Sequence, residues 1–501
     1  SVRRIIIAGI GVLIQIIWVV VLVMRLNQYS QIITLLTVAI ELVLVLAVYS
    51  MDTNAAFKLP WIILITVAPI VGICVFFLFG RSGATKKVRA RYRKIDQQLF
   101  AYLNQDEQII DELSKKDERL ANDFKYLWKC ASSPVYKNTD VKYYGDTCDA
   151  MAAQLEDMMQ AKKFIFLEYH AIEMAESFQA LRKVLMAKAR EGVEIRILYD
   201  DAGCIGFLNP RFIKYMESMG IQCRVFNPIM PVLNIFMNNR DHRKITVIDG
   251  KVAYTGGYNL ADEYFNITHP YGQWKDSGIR FEGDAVQTAT ILFLEMWNAL
   301  REQDVDIEKY LPVYPYKAKE QGFFALYGDS PLDKEPAGEN VYMNLLRHAK
   351  KYIYFTTPYL ILSDEMTREL TGAAKRGVDV RIITPGIPDK KTIFQVTKSY
   401  YPQLLKHGVK IYEYTPGFMH EKQCICDGEI VVVGTINLDF RSLYLHFENA
   451  ALFCGYEAVS HVKEDFDALF PICKDMSKEP SERTRRLRLS QLILRLFSPL
   501  M

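Results

Sequence analysis

Lys162-Lys163-Phe164-Ile165-Phe166, a helical stretch, then Glu191-Gly192-Val193-Glu194-Ile195-Arg196-Ile197-Leu198 returns later as Lys350-Lys351-Tyr352-Ile353-Tyr354, a helical stretch, and Arg376-Gly377-Val378-Asp379-Val380-Arg381-Ile382-Ile383. A repeat of that length fixes the architecture before any motif does. In each copy a β-branched run, an amphipathic helix closed by Gly and a second β-branched run make a βαβ unit, which predicts a buried parallel sheet. Each copy then adds a helix ending at Gly220 or Gly408 and a further strand. The predicted fold class is α/β, two duplicated halves (136–320 and 321–480) about one shared active site. The first copy carries an extra stretch, 229–239, before its motif. Its apolar, Asn-rich composition suits a substrate-contacting lid, and equally a surface insertion without function.

Both copies arrive at the same chemistry. The first reads His242-Arg243-Lys244-Ile245-Thr246-Val247-Ile248-Asp249 and the second His420-Glu421-Lys422-Gln423-Cys424-Ile425-Cys426-Asp427, two H-x-K-x4-D motifs at matching repeat positions. Side chains two apart on a strand share a face, so His242 and Lys244 project together, as do His420 and Lys422. Asp249 and Asp427 complete the motif set, but at seven residues' distance a regular strand turns them to the other face, as structural partners at the strand end. Beyond them Gly256 and Gly434 open turns that deliver Asn259 and Asn437, whose amides suit a phosphate oxygen. Asp276 and Glu448 follow the two motifs at similar distances and are the candidates for orienting the imidazoles through a ring N–H. Two His and two Lys in one pocket provide what transfer of a phosphodiester needs: a nucleophile, an acid and base, and positive charge for the equatorial oxygens. The remaining histidines read as surface or packing residues, with His170 and His446, near strand ends, as the exceptions. Tyr169 and Tyr359 suit either a lipid channel or aromatic core packing.

Composition narrows the class. The 501 residues are 24% charged and 50% hydrophobic, which excludes a disordered chain, and a net charge of +3 gives no support for a nucleic-acid partner. The nine cysteines form no CxxC pair, so neither a zinc site nor a disulfide framework is predicted. Cys424 and Cys426 alternate on a strand and read as packing residues. No metal and no cofactor are expected. The apolar runs concentrate in the first eighty residues, 5–24 and 59–79 each being long enough to cross a bilayer, with 32–49 as a third span or a re-entrant piece around Glu41. The segment 1–80 is therefore predicted as a transmembrane segment of two or three spans. Residues 81–135 follow as a basic juxtamembrane and helical connector. Seven Lys and Arg without an acid in 81–94 place the remainder on the cytoplasmic side. Three spans would put Arg3 and Arg4 outside, so the span count stays open. The tail, 481–501, mixes arginines with leucines at helical spacing and reads as a basic amphipathic helix on an anionic interface or packed on the protein itself.

At its two motifs the chain resembles the phospholipase D superfamily, and within it the bacterial cardiolipin synthases. Leu78-Phe79-Gly80-Arg81, Leu198-Tyr199-Asp200-Asp201, Thr357-Pro358-Tyr359 and the closing Leu496-Phe497-Ser498-Pro499-Leu500 carry the resemblance over nearly the whole chain. It implies an integral enzyme of the cell membrane that joins two phosphatidylglycerol molecules into cardiolipin and releases glycerol, through a phosphohistidine on His242 and without a metal. A hydrolytic phospholipase D, or a transferase with another alcohol acceptor, fits the same motifs. Thr435 stands where the family often has Ser, and the hydroxyl is kept.

Overall fold

The computed structural model describes residues 31–77, 86–208, 211–229, 238–301, 304–479 and 487–500, with Ile17, Val20, Val21 and Met24. The repeat becomes two sheets of matching order. In the first, the strands run Thr139–Tyr144, Gly278–Gly283, Val252–Gly256, Lys244–Ile248, Phe164–Tyr169, Glu194–Asp200, Gln222–Phe226. In the second they run Phe323–Asp329, His446–Cys454, Ile430–Gly434, Gln423–Cys426, Tyr352–Thr356, Asp379–Pro385, Lys410–Tyr414, with Cys473–Asp475 added at the edge.

The sheets are mixed, not parallel throughout. Only Phe164–Tyr169, Glu194–Asp200 and Gln222–Phe226, and their counterparts, pair in parallel through helical crossovers. The strands carrying the motifs are antiparallel to both neighbours, joined to one of them by a hairpin.

Alternation along the strands sorts the core. Ile165, Leu167, Ile195 and Ile197 face Phe178, Leu181 and Leu185 of the helix Glu176–Arg190. Ile353, Phe355, Val380 and Ile382 likewise face Tyr342, Leu345 and Leu370. The opposite faces, with Phe166, Val247 and Phe281 from one half and Ile425, Val431 and Phe453 from the other, form one shared core. The helix Val286–Leu300 is buried within it nearly all round. Each large side chain so buried is worth roughly 1.5–3 kcal/mol, so the two halves hold each other in register. Cys424 and Cys426 are free thiols in the second half's outer core.

Among the described residues no helix is long and apolar enough to cross a membrane. The run 5–24 lies outside the described residues except for four positions, and 32–49 falls within the helix Gln31–Tyr49. The run 59–79, expected as one span, is broken. Ala68 leaves the helical region at φ −136°, ψ 70° between the helices Ala55–Val67 and Pro69–Val75. The residue before a proline is disfavoured in the α region, and Pro69 suits the first turn of a new helix. The two helices fold back so tightly that a Cβ on Gly72 would lie 2.5 Å from the Leu64 carbonyl oxygen. This hairpin packs on the second half. Asn54 caps the first helix at the Ala56 N–H and donates to Glu365 at 3.1 Å, while Phe57 meets the rings of Phe440 and Tyr444 edge-on.

Asp249 and Asp427 close the tight turns after the motif strands. Each sits in the left-handed region (φ 55° and 54°) ahead of a left-handed glycine, the two positive φ angles that a type I′ turn requires. Their carboxylates accept three backbone N–H groups apiece, from Lys162, Lys163 and Phe164 and from Lys350, Lys351 and Tyr352, at 2.7–2.9 Å. Each therefore ties the motif hairpin to the start of the central strand of its own half. Replacing either Asp by Ala is expected to cost about 2–4 kcal/mol, from the orphaned N–H groups and a Cβ-bearing residue without a carboxylate at positive φ. The check is the shift of the denaturant midpoint alongside turnover per folded molecule; lost turnover at unchanged stability would return these acids to the catalytic set.

Candidate active site

The motif histidines stand where each half reaches into the other. Arg240–Asp241 pairs in parallel with the strand His446–Cys454, and the His242 N–H donates to Phe447 O at 2.9 Å. Gly417–Met419 pairs in parallel with Gln273–Lys275, and the His420 N–H donates to Lys275 O at 2.8 Å. Each histidine is thus hung on a strand of the opposite half by the same geometry.

That exchange decides the carboxylate partners. His242 Nδ1 lies 2.8 Å from Glu448 Oε2, and His420 Nδ1 lies 2.5 Å from Asp276 Oδ2. The carboxylate of each half orients the imidazole of the other. With Nδ1 engaged, Nε2 is the nitrogen left to each ring for chemistry. Thr435 Oγ1 donates to Glu448, so the hydroxyl that stands in for Ser steadies the carboxylate on His242. The matching position in the first half is Gly257, where a Cβ would lie 2.1 Å from Asp276 Oδ1, so the shorter carboxylate approaches over bare backbone.

Both lysines are buried, and each donates to the carbonyl of its own histidine, Lys244 at 2.7 Å. Burial lowers them, Lys244 to about 8 and Lys422 to about 7, against the pull of Glu448 and Asp276, which both lysines feel. Burial, then Lys244 and the rings of His170 and His446, hold His242 well below its ordinary value. Burial and Lys422 push His420 down to about 3, with Asp276 opposing. Burial would raise Asp276, but His420 and Lys422 outweigh it and keep it ionised, whereas Glu448 is raised by burial. Lys422 acts on His242 and Lys244 on His420, so both motifs contribute to one electrostatic site.

The surroundings of the two rings differ. His242 stands 5.0 Å from the ring of His170 and 5.6 Å from that of His446. His420 sits among Trp274, Tyr264 and Phe418 at 5.1, 5.2 and 5.8 Å. His242, His446 and Glu448 also bring potential ligand atoms within 4.8 Å of one another, a metal-capable grouping that sequence spacing did not reveal because the fold assembles it from distant segments.

Asn259 and Asn437 are less open to a ligand than their turns suggested. The Asn259 carbonyl accepts from the Ala171 N–H and its amide donates to the Tyr264 hydroxyl, leaving one amide proton. Asn437 is buried, and its Oδ1 has no hydrogen-bond partner among the described residues. Tyr169 is core, bonded to Thr246 and Gln154, while the Tyr359 hydroxyl donates to Asp389. The middle residues of the motifs passed unnoticed in the sequence. Arg243 is fully buried, bonds Glu295 at 2.8 Å and reaches Glu448 O, and Glu421 pairs with Lys275 at 2.6 Å. Each stands between a motif His and Lys, so its sequence neighbours gave no sign of burial, and a buried charge needs the partner that only the fold supplies.

Comparison with known proteins agrees with this geometry. The family model described as "Cardiolipin synthase, PLD-like domain" matches residues 155–297 and 342–470, one segment in each half. An uncharacterized protein of Streptococcus mutans is 39% identical, over 92% of this chain and 99% of its own. A cardiolipin synthase of Halalkalibacterium halodurans is 32% identical over 88% of this chain and 87% of its own. A crystal structure of phosphatidylserine synthase from Haemophilus influenzae shares the fold at a TM-score of 0.56 and 13% identity, over 72% of this chain and 93% of that one. A shared core of two motif-bearing halves, matched by the family model in both, makes this chain a member of the cardiolipin synthase family with phospholipase D-like domains.

Proposed function

We propose that the protein is a cardiolipin synthase that transfers a phosphatidyl group from one phosphatidylglycerol to another. The observation that carries this reading is the pair of motif histidines, each held at Nδ1 by a carboxylate of the opposite half, with a buried lysine beside each. The neutral His242 Nε2 attacks phosphorus, the bond to the glycerol headgroup oxygen breaks, and His420 gives that oxygen its proton as glycerol leaves. A hydroxyl of the second phosphatidylglycerol then attacks the phosphohistidine, its proton passes to His420, and the P–N bond breaks. One cardiolipin and one glycerol result, and both rings regain their starting state. Lys244 and Lys422 offset charge on the equatorial oxygens, and the remaining Asn259 amide proton and the Asn437 amide are assigned to the non-bridging oxygens.

His242 takes the nucleophile's role because its neighbours are cationic or imidazole groups that keep it unprotonated; His420 is itself lowered to about 3 by burial and Lys422, and the ionised Asp276 is the group that favours the protonated ring the acid step needs. The substrate's own negative charge adds to that preference once bound.

A membrane location follows from the apolar surface that the described helices leave uncovered. Leu35, Leu42, Val43 and Val67 are each more than 60% exposed. The tail helix Leu489–Leu496 packs beside the hairpin and the helix Lys391–Lys406, yet turns Leu489, Leu492 and Ile493 outward. An exposed apolar surface of this kind, flanked by the basic helix Lys86–Leu99, suits the cytoplasmic face of an anionic bilayer.

His242→Ala and His420→Ala are each expected to lower cardiolipin formation by more than about 1,000-fold with the fold intact, because the two rings act as a unit. Mass spectrometry of the products from pure phosphatidylglycerol reads this directly; phosphatidic acid as the main wild-type product would identify a hydrolase, and phosphate trapped on His420 would reverse the two roles. The lysines set the pH dependence. Their charged forms exist below about 7 and 8, so kcat/KM, which reports the free enzyme, falls as pH rises through that window. The bound phosphodiester anion raises both lysines, so kcat holds to higher pH; a kcat/KM profile flat to pH 10 would contradict the assignment. Turnover is also expected to survive exhaustive chelation. Activity lost to the chelator and restored by one divalent metal would assign the His242, His446 and Glu448 grouping to a metal instead.

A further inference from the structure

A cavity of about 790 Å³ lies between the amino-terminal hairpin and the second half, and it runs to His446. Its size falls within the roughly 300–1,000 Å³ of small-ligand sites. One wall is apolar, formed by Phe57, Trp61 and Val75 of the hairpin, with Leu445 opposite. The other features are polar groups without partners. His446 has only 12% of its side chain exposed, and among the described residues neither ring nitrogen has a hydrogen-bond partner; its Nδ1 is 3.6 Å from Glu448 Oε1 and its ring 5.6 Å from that of His242. Arg89, on the helix that follows the hairpin, lines the same cavity with Nε buried and unbonded. The five acids in the wall are already engaged: Glu339 by Ser363 and Tyr444, Asp329 by the Gly338 N–H, Glu365 by Asn54, Glu335 by Tyr126 and Asn340, and Asp52 by Lys334 at 3.7 Å.

We propose that this cavity holds one anionic phospholipid substrate, its acyl chain along the Phe57, Trp61 and Val75 wall and its phosphate between Arg89 and His446, so that the headgroup is presented to His242. The assignment rests on the phosphatidyl-transfer reading and extends it to a binding site. A buried guanidinium nitrogen and a buried imidazole, each lacking an acceptor or donor, are costly unless a ligand completes them. A phosphodiester accepts from both. The apolar wall matches a hydrocarbon chain and nothing in a free polyol or nucleotide. The hairpin that walls the cavity also leaves Leu59, Ile63 and Val67 exposed, an apolar surface that suits the lipid phase from which the substrate would come.

The test is photolabelling of the full-length chain with a phosphatidylglycerol carrying a diazirine at the acyl terminus, in phosphatidylcholine vesicles, read by peptide mass spectrometry. Label on the hairpin alone would follow from simple contact with the bilayer and would overturn the proposal. Expected instead is label on the Leu443 to Leu445 segment across the cavity, reduced at least five-fold by excess phosphatidylglycerol and not by phosphatidylcholine. Ser330, in the cavity wall, gives a second readout. Ser330→Trp should lower label at that segment at least five-fold and lower kcat/KM for a dioleoyl substrate at least ten-fold relative to its dibutyryl counterpart; an unchanged label and ratio would overturn the proposal. The two readings separate cleanly. Cardiolipin formation with no label across the cavity defeats the binding site alone, whereas competed cavity label without cardiolipin formation supports the site and defeats the reaction.

Discussion

The structure depends on the two hydrogen bonds that cross between halves, His242 to Glu448 and His420 to Asp276. Both carboxylates are fully buried, as are both lysines, and a charge removed from water is tolerated only when its partners are in place. Neither half contains its own partners. Removing one member of such a pair typically costs about 3–5 kcal/mol, so separating the halves would leave a carboxylate and an imidazole stranded on each side. The shared apolar core and the parallel strand pairs at Arg240–Asp241 and Gly417–Met419 keep that from happening. The site and the interface are one object, because neither copy holds the carboxylate that engages its own motif histidine.

Much of this was legible in the sequence, because a repeat reports topology twice. The matching runs at 162–198 and 350–383 gave the central strands and crossover helices, and the motif spacing placed His242 and His420 at equivalent points. Asp276 and Glu448 were found by position, but their exchange between halves was not, since spacing within a copy says nothing about which copy a side chain faces. The parallel sheet was over-read. Hairpins at Asp249-Gly250 and Asp427-Gly428 make the motif strands antiparallel, and an Asp-Gly pair between apolar runs is the local sign that was passed over. Arg243 and Glu421, each flanked by a motif His and Lys, carried no such sign, and their burial came only with the fold. The break at Ala68 was written in Pro69, which hydropathy alone does not weigh.

The duplication is not exact where it matters for direction. A transfer with a covalent intermediate needs one ring that stays unprotonated and another that moves a proton. The two environments differ in that sense: imidazoles beside His242, aromatic rings beside His420, with a raised Glu448 on the first and an ionised Asp276 on the second. The local means are small. Gly257 lets a short Asp approach, whereas Thr435 steadies a longer Glu through its hydroxyl. A few changed side chains at matched positions, Gly257 against Thr435 and Asp276 against Glu448 among them, turn a repeated scaffold into a site with distinguishable partners.

Water is the competitor that such chemistry must exclude, because a phosphohistidine reacts with any hydroxyl that reaches it. The lysines and carboxylates that the proposed reading places around phosphorus are buried from solvent. An acceptor must then arrive by a path that water does not share, and the two ends of the chain mark where that path begins. The hairpin and the tail helix lie side by side and leave their leucines and isoleucines uncovered. Burying that apolar surface in a bilayer is worth roughly 25 cal/mol per Å², enough to hold the protein with its cavity against the lipid phase. A lipid alcohol then has a dry route to His242 and bulk water does not, so on the proposed reading the choice of acceptor is made by where the protein sits as much as by the residues that touch phosphorus.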